Sequence, residues 1–294
     1  MPPISPMKPL LQVIFYSKQL KLPTGWSDNK PNEKDKKKHY EQNSHPDGEK
    51  AWPPKLIPPW FTPASSYKLH VETCDKIGKE FKKFAEDAVD AVKFSHSMWK
   101  LQAKFKDLKV NAVTALGTPG CLDGPELESN IKNAPMMMAY AQGNAKKYRD
   151  AVAKGVSGQY KKWQGKVMVP GLPWYPAFAA FPGPMAPPMP NVPTPLIACP
   201  SAMMAEIVVP KNLGDAMTKA LDKSMKDEDP DKQHEALFEA IGTVLALAFL
   251  MWMPQQQVML VMGKGPIPSF APPYVPVGPV VMGDNIAAPG HLMT

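Results

Sequence analysis

Proline is segregated along this chain, and that segregation limits what the chain can fold into more than any other feature. Twelve of the 36 prolines fall in residues 2–63, eleven in 170–200 and seven in 266–289. The total is about two and a half times the usual share of roughly 5%. Proline fixes φ and removes an amide donor, so these blocks are unsuited to helix interiors and central strands. The stretches between them are proline-poor and carry helical periodicity. The expected fold is therefore mainly α: long amphipathic helices with extended proline-rich arms, elongated and oligomeric.

Five segments follow from this pattern. Residues 1–63 read as an extended arm with a short strand at 11–16 and a charged loop at 27–50, where six lysines face six acids. Trp52-Pro53-Pro54 and Pro58-Pro59-Trp60-Phe61 combine polyproline stiffness with large rings suited to docking. Residues 64–166 read as a helical domain. Apolar or small residues recur through Ile77, Phe81, Phe84, Ala88, Val92, Met98, Leu101, Phe105 and Leu108, which predicts a helix over 66–116, with a break at Gly78 unless the subunit is elongated. The turn Asp123-Gly124-Pro125 starts a short helix at 126–132. Pro135 opens another to residue 166, whose face runs Met137, Ala141, Ala145, Tyr148, Val152, Val156, Gln159 and Trp163. Gly143, Gly155 and Gly158 weaken it and fit best where a neighbouring helix comes close.

Residues 167–210 form a proline and aromatic arm, in which 167–205 hold no charged residue. Such a surface cannot stay wet, so it must lie against the chain's own helices, a second copy or another protein. Residues 211–262 read as a helical hairpin, with helices over 211–225 and 231–253. The second of these is apolar all round from residue 244, as in a core or in lipid. Pro254 and Gln255-Gln256-Gln257 leave too short a run for an ordinary membrane span. Residues 263–294 return to a proline-rich tail. In it Ala271-Pro272-Pro273-Tyr274-Val275-Pro276-Val277 echoes Ala186-Pro187-Pro188-Met189-Pro190-Asn191-Val192.

Several functions are disfavoured by the same residues. Net charge is +7, which suggests an acidic partner, but Arg149 is the only arginine. Without arginine forks, specific nucleic-acid binding is not expected. Cys74, Cys121 and Cys199 are too few and too scattered for a disulfide framework, and read as buried thiols in a reducing compartment. No signal peptide is recognisable in the first residues. The histidines (His39, His45, His70, His96, His234 and His291) have no metal-ligand spacing, and no phosphate loop or nucleophile elbow occurs. The chain is not expected to be an enzyme, and no catalytic residue, cofactor or metal is assigned.

The residues assigned to an interface are Trp174, Tyr175, Phe178, Phe181, Met189, Leu245, Phe249, Trp252, Phe270 and Tyr274, all large apolar groups in charge-free stretches. The block Val169-Pro170-Gly171-Leu172-Pro173-Trp174-Tyr175-Pro176, continuing to Pro187-Pro188-Met189-Pro190, resembles segments of structural virion proteins of tailed phages and contractile injection particles. The resemblance covers residues 126–283 and leaves out the charged loop. It implies a tail, baseplate or capsid-associated subunit in a virion or cytoplasmic particle, whose partners are itself and other structural proteins. The alternative is a membrane-active or secreted interaction protein using the apolar helix at 240–253.

Overall fold

The computed structural model describes residues 4–17, 65–175, 181–227, 229, 232–267 and 277–293, with only the backbone described at 16, 65–78, 181, 277, 278 and 293. The chain opens with α1 (Lys8–Ser17) and α2 (Ser65–Gln102), then β1 (Lys104–Phe105), β2 (Lys109–Asn111), β3 (Thr114–Gly117) and β4 (Leu122–Asp123). Next come α3 (Leu127–Lys132), a 3-10 turn (Pro135–Tyr140) and α4 (Gly143–Gln164). The charge-free stretch holds β5 (Val169–Pro173), β6 (Phe181–Pro182), β7 (Met185–Pro190), β8 (Thr194–Pro195) and a 3-10 turn (Leu196–Ala198). Four helices follow: α5 (Ala205–Val208), α6 (Pro210–Ala220), α7 (Lys223–Asp227) and α8 (Gln233–Gln255). The chain closes with β9 (Gln257–Val258), β10 (Met262–Pro266), β11 (Val277–Gly278), β12 (Gly283–Ile286) and β13 (Leu292–Met293).

The mainly α expectation is corrected by a six-stranded antiparallel sheet ordered β5-β3-β2-β12-β10-β7, accompanied by three smaller sheets. The proline-rich arm at 167–210 supplies both of its margins. β5 (VPGLP) and β7 (MAPPMP) occupy the two edge positions, where a missing amide removes no ladder bond and blunts the edge against further strands. Two of the inner strands, β10 and β12, carry the glycines Gly263, Gly265 and Gly283 on the buried face. A Cβ at Gly263 would stand 2.9 Å from the Trp174 indole, and one at Gly265 would stand 2.6 Å from Val280 Cγ1. Large side chains from outside the strands thus fill the space that small residues leave. The edges also meet, because Trp174 forms a bridge with Asn191 and the Val192 amide donates to the Pro173 carbonyl at 2.8 Å. The sheet therefore curls towards a barrel.

Three segments differ from the sequence reading, each for its own local reason. Helix α2 passes through Gly78 without a break and stops at Gln102, so Phe105 and Leu108 belong to the strand region and not to a long helix. Beyond Gln102 the burial alternates with period two, as at Lys109–Asn111 and Thr114–Gly117, and Asp107 has a positive φ of 58° that no helix accommodates. The segment at 11–16 is α1 rather than a strand: Leu11 and Phe15, one turn apart, are both buried against the helical core. The helix expected over 211–225 is two pieces, because Asp222 caps α7 by accepting from the Ser224 amide at 2.9 Å.

The β2–β3 hairpin turns on Ala112 and Val113, with Ala112 at φ 52°. Glycine is the natural residue at a positive φ in a two-residue loop. Ala112→Gly is expected to raise the unfolding free energy by about 0.5–1 kcal/mol in chemical denaturation. Three asparagine side chains steady three of the four other left-handed non-glycine positions. Asn285 Oδ1 accepts from Leu108, beside Asp107; Asn191 Oδ1 accepts from Val261, beside Leu260; and Asn111 Oδ1 accepts from Met282 itself.

Helices α2, α4 and α8 meet in an aromatic core built from Trp99, Tyr160, Trp163, Phe249 and Trp252, all 5% exposed or less. Helix α8 is long and apolar enough to cross a membrane, yet two thirds of its apolar window is buried inside the chain. Val244, Leu245, Phe249, Trp252 and Met253 are covered here by the chain's own helices, and of its large apolar side chains only Leu250 and Met251 are strongly exposed. Helix α6 lies across both α4 and α8. The approach is closest at Gly155, where a Cβ would stand 2.7 Å from the Met217 backbone, and at Gly242, where one would stand 2.9 Å from the Pro210 carbonyl. The sequence expectation of a close neighbour thus holds at Gly155. It fails at Gly158, which has open space, and at Gly143, whose φ of 62° marks a turn into the helix.

Candidate functional site

Chain connectivity places every passage from helix to sheet at one end of the sheet. Helix α2 leads to the start of β2, α4 to the start of β5, and α8 through β9 to the start of β10. The opposite rim is built from turns. It contains the β2–β3 turn, the residues after β5, the start of β7, the end of β10 and the residues before β12, as the pairs Thr114–Pro173, Met185–Pro266 and Gly283–Val110 require. Backbone bonds tie these pieces together: Trp174 N–H to the Val113 carbonyl at 2.7 Å, Ala112 N–H to Val280 at 2.7 Å, and Val281 N–H to Pro266 at 3.1 Å.

On this rim five large apolar side chains face solvent. Met282 is 77% exposed, Met185 62%, Tyr175 45%, Val281 39% and Val113 37%. No residue of the turns that carry them is charged. The nearest ions, Lys109, Asp284 and Lys264, sit further along the strands, with Lys109 and Asp284 paired at 2.7 Å. Scattered apolar side chains are ordinary on a protein surface, but several of them on successive uncharged turns are the usual mark of a contact site.

The residues assigned to an interface from sequence divide into three groups. Tyr175 lies on the rim and is exposed. Trp174, Leu245, Phe249 and Trp252 are buried within the chain itself, and Met189 is half-buried against the core, its carbonyl accepting from the Trp174 indole at 2.9 Å. For these five the covering polypeptide is the chain's own. Phe178, Phe270 and Tyr274 lie outside the described residues, as does the side chain of Phe181 and most of the second copy of the suspected repeat. Val113, Met185, Val281 and Met282 were not singled out from sequence. The available signal was the uncharged Val280-Val281-Met282 run, but nothing in it said which way the side chains would point.

Elsewhere the structure holds an apolar cleft of about 250 Å³ between α2, the first 3-10 turn, α4 and α8, lined by Glu80, Phe81, Phe84, Tyr140 and Leu237 among others. The Tyr140 hydroxyl donates to Asp87 at 2.7 Å, and burial together with that carboxylate pushes its pKa well up. Cys121 and Cys199 are free and buried, and burial pushes their thiols up to about 11 and about 12, so neither is a ready nucleophile. His234 meets Asp229 at 2.7 Å in front of α8, as a local brace. Among the described residues no three His, Cys, Asp or Glu side chains gather into a metal-binding group.

Comparisons with protein families, with curated proteins and with solved structures found no match.

Proposed function

We propose that this chain is a structural, assembly-forming subunit that docks on other polypeptide through the apolar rim, in a particle of the tail, baseplate or capsid-associated kind. The observation that carries the reading is the set Met282, Met185, Tyr175, Val281 and Val113, each exposed on strand-end turns that carry no charged residue. A self-covering sheet with proline at both edges favours it further. Edge-to-edge sheet extension is blocked, so association has to use side-chain surfaces instead. The rim is set at the pole opposite the helices, which leaves it free to meet a copy of the chain or a neighbouring structural protein.

The test is the association state of the purified chain. Wild-type protein is expected to be oligomeric by light scattering in plain buffer. Met282→Lys with Val281→Asp is expected to shift it to monomer with an unchanged denaturation midpoint, because both side chains are exposed. A wild-type monodisperse monomer, or a double variant that associates as before, would count against the reading. Removing residues 167–200 would be no such test, because it deletes β5, β6, β7 and β8 and takes the sheet with them.

A further inference from the structure

The aromatic core contains a concentration of polar atoms that the fold does not account for. Ser95 Oγ, His96 Nε2, Tyr160 OH and Trp163 Nε1 are all buried and find no hydrogen-bond partner among the described residues. Three of them belong to adjoining rings. His96 and Tyr160 have centroids 5.7 Å apart with planes at 87°, and Tyr160 and Trp163 lie 4.9 Å apart. The other two indoles of the cluster are provided for: Trp99 donates to Gln164 at 2.7 Å and Trp252 to Gln256 at 3.1 Å.

The chemistry of these atoms says what they need. The Ile4 amide donates to His96 Nδ1 at 3.4 Å, so that nitrogen is the acceptor and the ring proton sits on Nε2. Trp163 Nε1 can only donate, and the Tyr160 and Ser95 hydroxyls can donate or accept. The set is therefore rich in donors and short of acceptors. It offers a cation no free nitrogen lone pair. Buried donors without partners are strongly disfavoured, and native interiors resolve such groups with ordered water. We infer that the core encloses a hydration site at which one or more long-lived water molecules accept from His96 Nε2 and Trp163 Nε1 and exchange hydrogen bonds with the Tyr160 hydroxyl. The site is independent of the apolar rim, and makes the junction of α2, α4 and α8 a polar seam inside an otherwise apolar core.

Two measurements on the full chain test this. In water–protein cross-relaxation NMR, the Trp163 indole proton is expected to show a contact with a water that stays bound for longer than bulk exchange allows. Tyr160→Phe removes only the hydroxyl and is expected to lower the folding equilibrium constant about fivefold to tenfold, as for a satisfied buried hydrogen bond. If the hydroxyl is dry, its removal leaves the constant unchanged or raises it. Absence of the water contact at Trp163, or a Tyr160→Phe protein as stable as wild type or more so, overturns the inference. Should the variant fail to fold, the NMR result on the wild-type chain decides alone.

Discussion

Gly155→Val is expected to destabilise the protein by about 3 kcal/mol or more, whereas Gly158→Ala, three positions along the same helix, is expected to stabilise it by about 0.5–1 kcal/mol. Both glycines lie in α4 and both lower its intrinsic helix propensity. They differ only in what stands opposite. At Gly155 the nearest atoms are the Met217 amide nitrogen and Cα, both 2.7 Å from an added Cβ. Those atoms belong to the backbone of α6 and cannot rotate away, so even one methyl forces the helices apart. Opening that crossing would also loosen Gly214 and Gly242, where α6 meets α8. At Gly158 nothing lies within 4 Å, and the change to alanine simply reduces the freedom of the unfolded chain. Urea denaturation of the two variants checks the pair. Equal effects at both positions would show that α6 does not press on α4 as the structure has it.

Stability is expected to fall as pH drops below about 6.5, and His96 is the main cause. Complete burial pushes the His96 pKa down to about 3, with the charge of Lys100 adding in the same direction. In the unfolded chain the same ring takes up a proton near the ordinary value of about 6.5. Protons therefore favour the unfolded state over the whole interval between those values. The contribution of neutral His96 is complete above about pH 7 and is lost progressively as pH falls from about 6.5 to about 3. By pH 5 the loss from this residue alone is about 2 kcal/mol. His291 acts with the same sign: burial pushes it down to about 4, and its Nδ1 accepts from the Phe105 amide at 2.8 Å. Protonation there would abolish the acceptor that holds β1 to the C-terminal segment. Chemical denaturation at pH 7 and pH 5 measures the sum, and His96→Gln should flatten the difference by about 2 kcal/mol. A variant with the wild-type pH slope would place the proton uptake elsewhere.

Much of the helical half was legible because helical burial repeats every three or four residues whatever surrounds it. Val152, Val156, Gln159 and Trp163 were placed on one face of α4 from spacing alone, and all are buried. Leu213 and Met217 on α6, and Leu237, Ile241 and Leu245 on α8, follow the same rule. The sheet was not legible for an equally specific reason. Its edge strands are rich in proline, which a local reading excludes from central strands and does not assign to edges, and its inner strands β10 and β12 are rich in glycine or polar residues of low strand propensity. Gly263 and Gly265 make sense only beside Trp174 and Val280, which come from other parts of the chain. The rim is no more legible, because Val113, Met185 and Met282 are separated by up to 169 residues and share no pattern.

What the sequence determined alone was the demand for cover. A stretch of 39 residues without an ion, and a helix apolar on every side, must be removed from water by something, and composition suffices to say so. Which surface answers that demand is a question of distance, and distance between remote residues is not written in local periodicity. The tertiary structure answers it for Trp174, Leu245, Phe249 and Trp252, which the chain covers by itself, and leaves the rim around Met282 exposed. Burial is a local requirement; the choice of partner depends on where the chain's turns bring it back.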